Sequence, residues 1–202
     1  MIYGNLPTNL GPIDLSPSEM MYWMYCPIKL PGTTKATIPE NLKQFGEIIL
    51  AVQQDLGERW ERSYIYITAK TLWVSGDYVG NRPGWHSDGF GSDDLNYIWA
   101  DRAPTEFVQG SWTFTDDHVV SLTEMEHTAQ GLPIVTYSDK VLLKLDPSVI
   151  HRSPVNFEAG MRTFVKISVS DNQYNLQGNS INHELPGCIL MPRGVERNHP
   201  IA

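Results

Sequence analysis

The chain is poor in cysteine, in basic residues and in long apolar runs, and each shortage narrows what it can be. Cys26 and Cys188 are the only two cysteines among 202 residues. Two thiols build neither a disulfide framework nor a cysteine-type zinc site, so a reducing, cytoplasmic setting is expected. Lysine and arginine total 15 against 23 aspartates and glutamates, for a net charge of -8. Broad capture of nucleic acid uses a basic face. The acidic balance argues against it while leaving room for one local basic groove. No stretch approaches the ~18 consecutive apolar residues of a membrane-crossing helix, and no membrane partner is expected. Met1-Ile2-Tyr3-Gly4-Asn5 lacks the basic and apolar regions of a secretory signal. Internal repeats, low-complexity tracts and linker-like runs are missing too. The length and the 41% hydrophobic content then suit a single domain over residues 1–202 with one sizeable core.

What is present divides that domain into three stretches. Residues 1–61 read as a helical support. Ser16-Pro17-Ser18-Glu19 carries the signature of a helix start, and Pro27 ends that helix early. Thr37-Ile38-Pro39-Glu40 is a second capping box. From there Leu42, Phe45, Ile49, Val52, Leu56 and Trp60 recur every three or four residues, writing one apolar stripe on a long helix. Residues 62–170 change to short runs rich in strand formers: 63–68, 71–74, 84–89, 94–101, 105–114, 119–125, 133–138, 140–146, 149–153 and 161–169. Turn-forming clusters such as Gly80-Asn81-Arg82-Pro83-Gly84 separate them. Helices first and then many short strands predict a mainly β fold, a sandwich or barrel with helices on one side. In the last run Thr163, Val165, Ile167 and Val169 alternate with Arg162, Phe164, Lys166 and Ser168. The first set is expected to face the long helix, which turns Arg162 inward, where a charge needs a partner. Residues 171–202 read as an irregular extension over the surface.

The chemistry concentrates in Gly84-Trp85-His86-Ser87-Asp88-Gly89-Phe90. On a strand, residues i and i+2 share a face, so His86 and Asp88 can aim at one point. His151, in the strand-like run Asp146–Pro154, offers a third ligand once the intervening short strands bring the two ligand strands together. Two imidazoles and one carboxylate on one face leave coordination positions open, which suits non-haem Fe(II) oxygen chemistry. Arg162 follows His151 by one turn and one strand, and its forked guanidinium can grip a remote carboxylate.

His86-x-Asp88, distal His151 and Arg162, in that order and at those spacings, resemble the Fe(II)/2-oxoglutarate-dependent dioxygenases over about residues 62–170. The resemblance implies a double-stranded β-helix (jelly roll) with the ligands on its second and seventh core strands and the basic residue on its eighth. It implies that His86, Asp88 and His151 bind Fe(II) and that Arg162 binds the C5 carboxylate of 2-oxoglutarate, with O2 as the second co-substrate. The family often adds a tyrosine hydroxyl to that carboxylate, and Tyr78 and Tyr97 are the candidates here. It commonly has a small hydroxyl residue two places after the arginine, where this chain has Phe164. With Asp88 in place the implied outcome is hydroxylation, or oxidative demethylation that begins with it, releasing succinate and CO2. Desaturation and ring closure stay open.

An isolated H-x-D occurs often by chance, and it is the joint pattern that carries weight. Two further readings stay open. One is a cupin-like metalloenzyme without 2-oxoglutarate, in which Arg162 has nothing to hold. The other is a non-catalytic jelly-roll binding module, in which His86 and His151 are structural. His118, His127, His183 and His199 lack a paired acid at ligand spacing and are read as non-ligands, with His118 or His127 able to reach a substrate. Asp93-Asp94 and Asp116-Asp117 read as turns. The glycine-rich turns at 80–84 and 89–94 border the metal motif, where loops on a rigid scaffold carry specificity. Arg82, Trp85 and Phe90 are therefore the expected contacts to the primary substrate, with loop 89–94 closing over it. The acidic charge favours a small molecule or a peptide as substrate, with a nucleobase as the alternative.

Overall fold

Strand-forming residues run unbroken from Tyr64 to Val74. In the computed structural model, which describes residues 1–185 and 189–192, they form one strand rather than two. The elements in chain order are β1 (Thr8–Pro12), β2 (Trp23–Lys29), a 3-10 turn (Glu40–Phe45), α1 (Gly46–Leu56), α2 (Arg59–Arg62), β3 (Tyr64–Val74), β4 (Leu95–Ala100), β5 (Glu106–Phe107), α3 (His118–Ala129), β6 (Val141–Leu145), β7 (His151–Arg152) and β8 (Gly160–Ser170). Six of them make an antiparallel sheet in the order β1-β6-β4-β8-β3-β2. The second sheet is smaller. β5 pairs with β7, and single bridges add His86 beside His151 and Val135 beside Phe107.

From β3 to β8 the chain moves between these layers: large sheet at β3, small at 86, large at β4, small at β5 and 135, large at β6, small at β7, large at β8. The order β6-β4-β8-β3 faces the order 86-β7-β5-135, and the result is a double-stranded β-helix. Counted along this core, His86 is on the second strand, His151 on the seventh and Arg162 on the eighth, as the resemblance implies.

The helical stripe packs on the outside of the large sheet. Leu42, Phe45, Ile49, Val52, Leu56 and Trp60 are all buried there, against Ile65 and Ile67 of β3, Tyr97 and Trp99 of β4, and Val165, Ile167 and Val169 of β8. At about 25 cal/mol per Å² of apolar surface, this cluster supplies the largest share of the fold's stability. A smaller apolar cluster between the sheets (Ile98, Phe107, Leu143, Leu145, Val149, Phe164) closes one end of the barrel. Among the described residues no helix is long and apolar enough to cross a membrane.

Several expectations give way to tertiary context. The long helix is broken into the 3-10 turn, α1 and α2, with Gly57 at φ 52 ending α1. Pro39 stands at the N-cap without a side-chain hydrogen bond, so the capping box at 37–40 does not form. The helix read after Ser16 does not exist: Trp23–Lys29 pairs along β3 instead. Aromatic and β-branched residues suit that edge strand, and Pro27 is tolerated at an edge with irregular register. Residues 119–125 are helical, not extended. Asp117 caps α3 by accepting from the amides of Val119 and Val120, and Ser121, Met125 and Ala129 bury one face.

The runs at 84–89, 105–114 and 133–138 shrink to single bridges or to the two-residue β5. The described part of the C-terminal stretch is irregular and sends single side chains inward. Asn182 is buried and donates to the carbonyls of Pro27 and Thr37, and Tyr174 reaches Asp94 with its hydroxyl. Cys188 and His199 lie outside the described residues.

Candidate metal centre and its cavities

Strand parity creates the site. His86 and His151 are neighbours across the small sheet, exchanging two backbone hydrogen bonds of 2.9 Å, so their imidazoles stand side by side with ring centroids 4.4 Å apart. Trp85 and Ile150, one residue back on each strand, point the other way into an apolar cluster under α3. Asp88 lies two residues beyond His86, on the inner side. One ligand atom from each of His86, Asp88 and His151 lies within 4.8 Å of the others, and Asp88 Oδ2 is 3.8 Å from His151 Nε2.

Each ring is oriented from behind. Nδ1 of His86 is 2.9 Å from the Gly84 carbonyl, and Nδ1 of His151 is 3.3 Å from the Val149 carbonyl. A carbonyl only accepts, so the proton sits on Nδ1 and the bare Nε2 lone pairs turn to the shared centre, as metal-ligating histidines require. Burial lowers both histidines from their ordinary range, and repulsion between the two rings helps bring His86 down to about 3. Both are therefore neutral and ready to ligate. Burial alone would raise the Asp88 carboxyl. Against it, the Lys166 ammonium 3.0 Å away, through its charge and its hydrogen bond, holds Asp88 ionised well below the usual carboxylate range. A rigid, ionised N2O donor set with an open side fits a divalent transition metal, and two histidines with one carboxylate fit Fe(II) in particular.

Lys166 and its partner Tyr25 are the site residues that motif reading missed. Lys166 donates to Asp88 and to the Tyr25 hydroxyl, both at 3.0 Å, and Asp88 pulls its pKa up against the effect of burial. The signal was present in the alternation of β8, which places Lys166 on the same inner face as Arg162. Tyr25 had no signal, because its position depends on β2 being a strand.

Two cavities meet at the metal cluster and share Tyr25, Arg82 and Asp88. The inner one, about 240 Å³, holds His86 and His151 with Lys70, Phe164 and Lys166 on its walls. The outer one, about 440 Å³, is bounded by Phe90, Asn96, His118, Ser168 and Tyr174. Arg82 lines both cavities and Phe90 the outer one, and loop 89–94 lines the outer cavity. His118 joins them, stacked edge-on to Phe90 at 5.7 Å. Trp85 does not. It lies on the far face of its strand under Arg152, whose guanidinium sits 4.5 Å from the ring centroid, and it borders a separate cavity with His127.

The expected carboxylate anchors fare differently. Arg162 is inward and buried, as its parity requires. Its Nε donates to the carbonyls of Arg102 and Ala103 at 3.0 Å, its guanidinium lies 5.1 Å from the Phe164 ring centroid, and Nη2 has no partner among the described residues. Burial lowers its pKa to about 10. It is Phe164, not Arg162, that lines the inner cavity. Tyr97 is excluded from the site. It alternates with Asn96 and Ile98 and so faces the outer core, where its hydroxyl donates to Asp55 at 2.6 Å. Tyr78 is exposed in a turn closed on Ser75 and lines neither cavity.

No family model and no curated protein matches the sequence. Among solved structures, AviO1 from Streptomyces viridochromogenes Tue57 is similar at a TM-score of 0.46 and 16% identity, over 83% of this chain and 90% of that one. HygX from Streptomyces hygroscopicus with iron bound gives 0.44 and 11%, over 79% and 81%. HygX with nickel and 2-oxoglutarate bound gives 0.38 and 13%, over 76% and 71%. Likeness at this level says nothing of the site, which stands on its own geometry: this chain is a jelly roll with two histidines and an aspartate converging on its inner face.

Proposed function

We propose that this chain is an Fe(II)- and 2-oxoglutarate-dependent oxygenase, with His86, Asp88 and His151 as the iron ligands. The observation that carries the reading is the ligand cluster itself. Two neutral imidazoles with fixed tautomers and one ionised carboxylate face a cavity whose other walls carry cations. Iron held there would supply O2 activation driven by oxidative decarboxylation of 2-oxoglutarate, yielding succinate, CO2 and an oxidised substrate.

The chain's own residues have separable tasks in this reading. The backbone carbonyls of Gly84 and Val149 hold the imidazoles at one tautomer. Lys166, with Tyr25, holds the Asp88 carboxylate ionised and in place through Oδ2, the oxygen that also faces His151. The inner cavity, lined from both sheets, has room for a small dianion, and its excess of positive charge favours one. A cupin-like enzyme without an acidic co-substrate gives that positive wall no task, and a binding module gives none to the paired imidazoles.

The outer cavity suits the primary substrate. Its mixture of Asn, Ser, His and aromatic faces supports a small molecule with several polar groups, hydroxylated or demethylated at a C–H bond turned toward the iron. A peptide side chain or a nucleobase is the alternative occupant. Arg82 and Phe90 are proposed as substrate contacts, together with His118.

Succinate release tests the reading. Fe(II)-loaded protein supplied with 2-oxoglutarate and O2 should form succinate slowly alone and faster with one member of a panel of polyols, amino acids, peptides and nucleotides. Absence of succinate under all conditions, with iron bound, would remove 2-oxoglutarate from the account.

A further inference from the structure

The inner cavity carries more positive charge than its one carboxylate can balance. Lys70, Arg82, Arg152 and Lys166 line it, and Asp88 is the only acid among the lining residues. Two of these four cations, Lys166 and Arg152, are already occupied. Lys166 is spent on Asp88 and Tyr25. Arg152 pairs with Glu106 at 2.8 Å and stacks on Trp85. Arg82 stands at the junction with the outer cavity. Arg162, two residues before Phe164 on β8, is turned onto the carbonyls of Arg102 and Ala103 and lies against Phe164 without lining the cavity.

Lys70 is different. It pairs with Phe164 across β3 and β8, at a level between Arg162 and Lys166, and only 8% of it is exposed. Its ammonium has three protons to donate and one acceptor among the described residues, the carbonyl of Gly80. It otherwise faces the rings of Tyr22 and Phe164, at 5.2 and 5.8 Å from their centroids. The buried Lys29 shows what a purely structural lysine looks like in this protein: its ammonium donates to three carbonyls, of Leu30, Glu61 and Ser63. Burial lowers the Lys70 pKa to about 8, and the neighbouring Arg162 and Lys166 add to this. An anion placed in the cavity would relieve both effects.

We infer that the Lys70 ammonium, on the first core strand, holds the distal carboxylate of the dicarboxylic co-substrate, in place of Arg162 on the eighth. Phe164 bears on both sides of this exchange. It stands where a small hydroxyl residue would leave Arg162 open to the cavity, and its ring closes the wall on which Lys70 lies. Arg162 then acts as a positioning residue, tying the start of β8 to the turn at 102–103, where Ala103 has φ 49. The inference rests on the proposed use of 2-oxoglutarate.

Calorimetric titration under anaerobic conditions tests it, on Fe(II)-loaded protein with two ligands, 2-oxoglutarate and 2-oxopentanoate. The second keeps the chelating 2-oxo acid and replaces the distal carboxylate by a methyl group. Wild type should prefer 2-oxoglutarate by ~10- to 100-fold, the range for a hydrogen-bonded charge in a sheltered site. Lys70→Met should erase most of that preference while Fe(II) affinity and 2-oxopentanoate affinity stay within about threefold. Lys70→Arg should keep the preference and hold it flat at alkaline pH. The wild-type preference should fall as pH rises above the lysine's bound-state pKa, because the ammonium loses its proton.

Arg162→Lys, which retains a charge on β8, should leave the preference standing. A preference that survives in Lys70→Met and disappears in Arg162→Lys would overturn the assignment. Equal binding of the two acids by wild type would overturn it as well, leaving the iron site untouched. Binding of neither acid by iron-loaded wild type would instead bring down the oxygenase reading on which it rests.

Discussion

The two faces of β8 have opposite compositions and opposite neighbours. Val165, Ile167 and Val169 face outward into a dry core closed by α1 and the 3-10 turn, and each is fully buried. Arg162, Phe164, Lys166 and Ser168 face inward, toward two cavities, an ion pair and the ligand cluster. β3 repeats the contrast, with Ile65, Ile67 and Ala69 outside and Thr68 and Lys70 inside. The large sheet thus separates stability from chemistry at a period of two residues. The inner face can carry charges that a core would not tolerate because the outer face already supplies the burial that holds the strands.

That separation can be broken from either side. The largest effect is expected inside: His86→Ala, Asp88→Ala or His151→Ala should each lower Fe(II) affinity by more than ~100-fold, since loss of even an outer-shell partner of a ligand costs ~10- to 100-fold. Melting temperature should change little in the two histidine variants and fall in Asp88→Ala, which leaves the buried Lys166 ammonium without its carboxylate. Equilibrium dialysis beside thermal unfolding checks both halves, and a histidine variant that unfolds instead would show that the inner face carries stability after all. Next comes the outer face. Ile167→Ala should cost about 2–5 kcal/mol of stability, through lost burial and the cavity left in a packed core. The folded fraction should bind iron as wild type does.

A smaller effect is expected at the junction of the cavities. Arg82→Ala should reduce substrate-coupled turnover by on the order of tenfold, the loss of one charged hydrogen bond, and leave the slow uncoupled decay of 2-oxoglutarate in place. Coupled turnover at the wild-type level would move the substrate elsewhere. Tyr97→Phe should have the smallest effect. It removes the bond to Asp55 for about 1 kcal/mol of stability and should leave 2-oxoglutarate affinity unchanged, because the side chain is on the wrong face.

The same contrast explains what could be read in advance. His86, Asp88, His151 and Arg162 were legible because a two-residue period and chain order fix which face they occupy, whatever the loops do. The helical stripe was legible from its own period of three to four residues, and its residues all reach the outer core even though Gly57 breaks the helix. Tyr97 was misread by proximity in sequence to the metal motif, where parity with Asn96 and Ile98 would have sent it outward. Trp85 failed in the same way. The segments that misled were those where local signals conflict with tertiary pairing. Residues 17–26 look capped for a helix, but from Trp23 on they belong to the edge strand beside β3, and Val119-Val120 look extended but follow a capping aspartate. Lys70 and Tyr25 were silent, because their roles depend on which strands lie side by side.

The most direct test is the position of the metal. Crystals grown anaerobically with Fe(II) and measured at the iron absorption edge should show a single anomalous peak inside the barrel, about 2 Å from the Nε2 atoms of His86 and His151 and from one carboxylate oxygen of Asp88. A peak elsewhere, or an ion that leaves any of these three residues uncoordinated, would contradict the account.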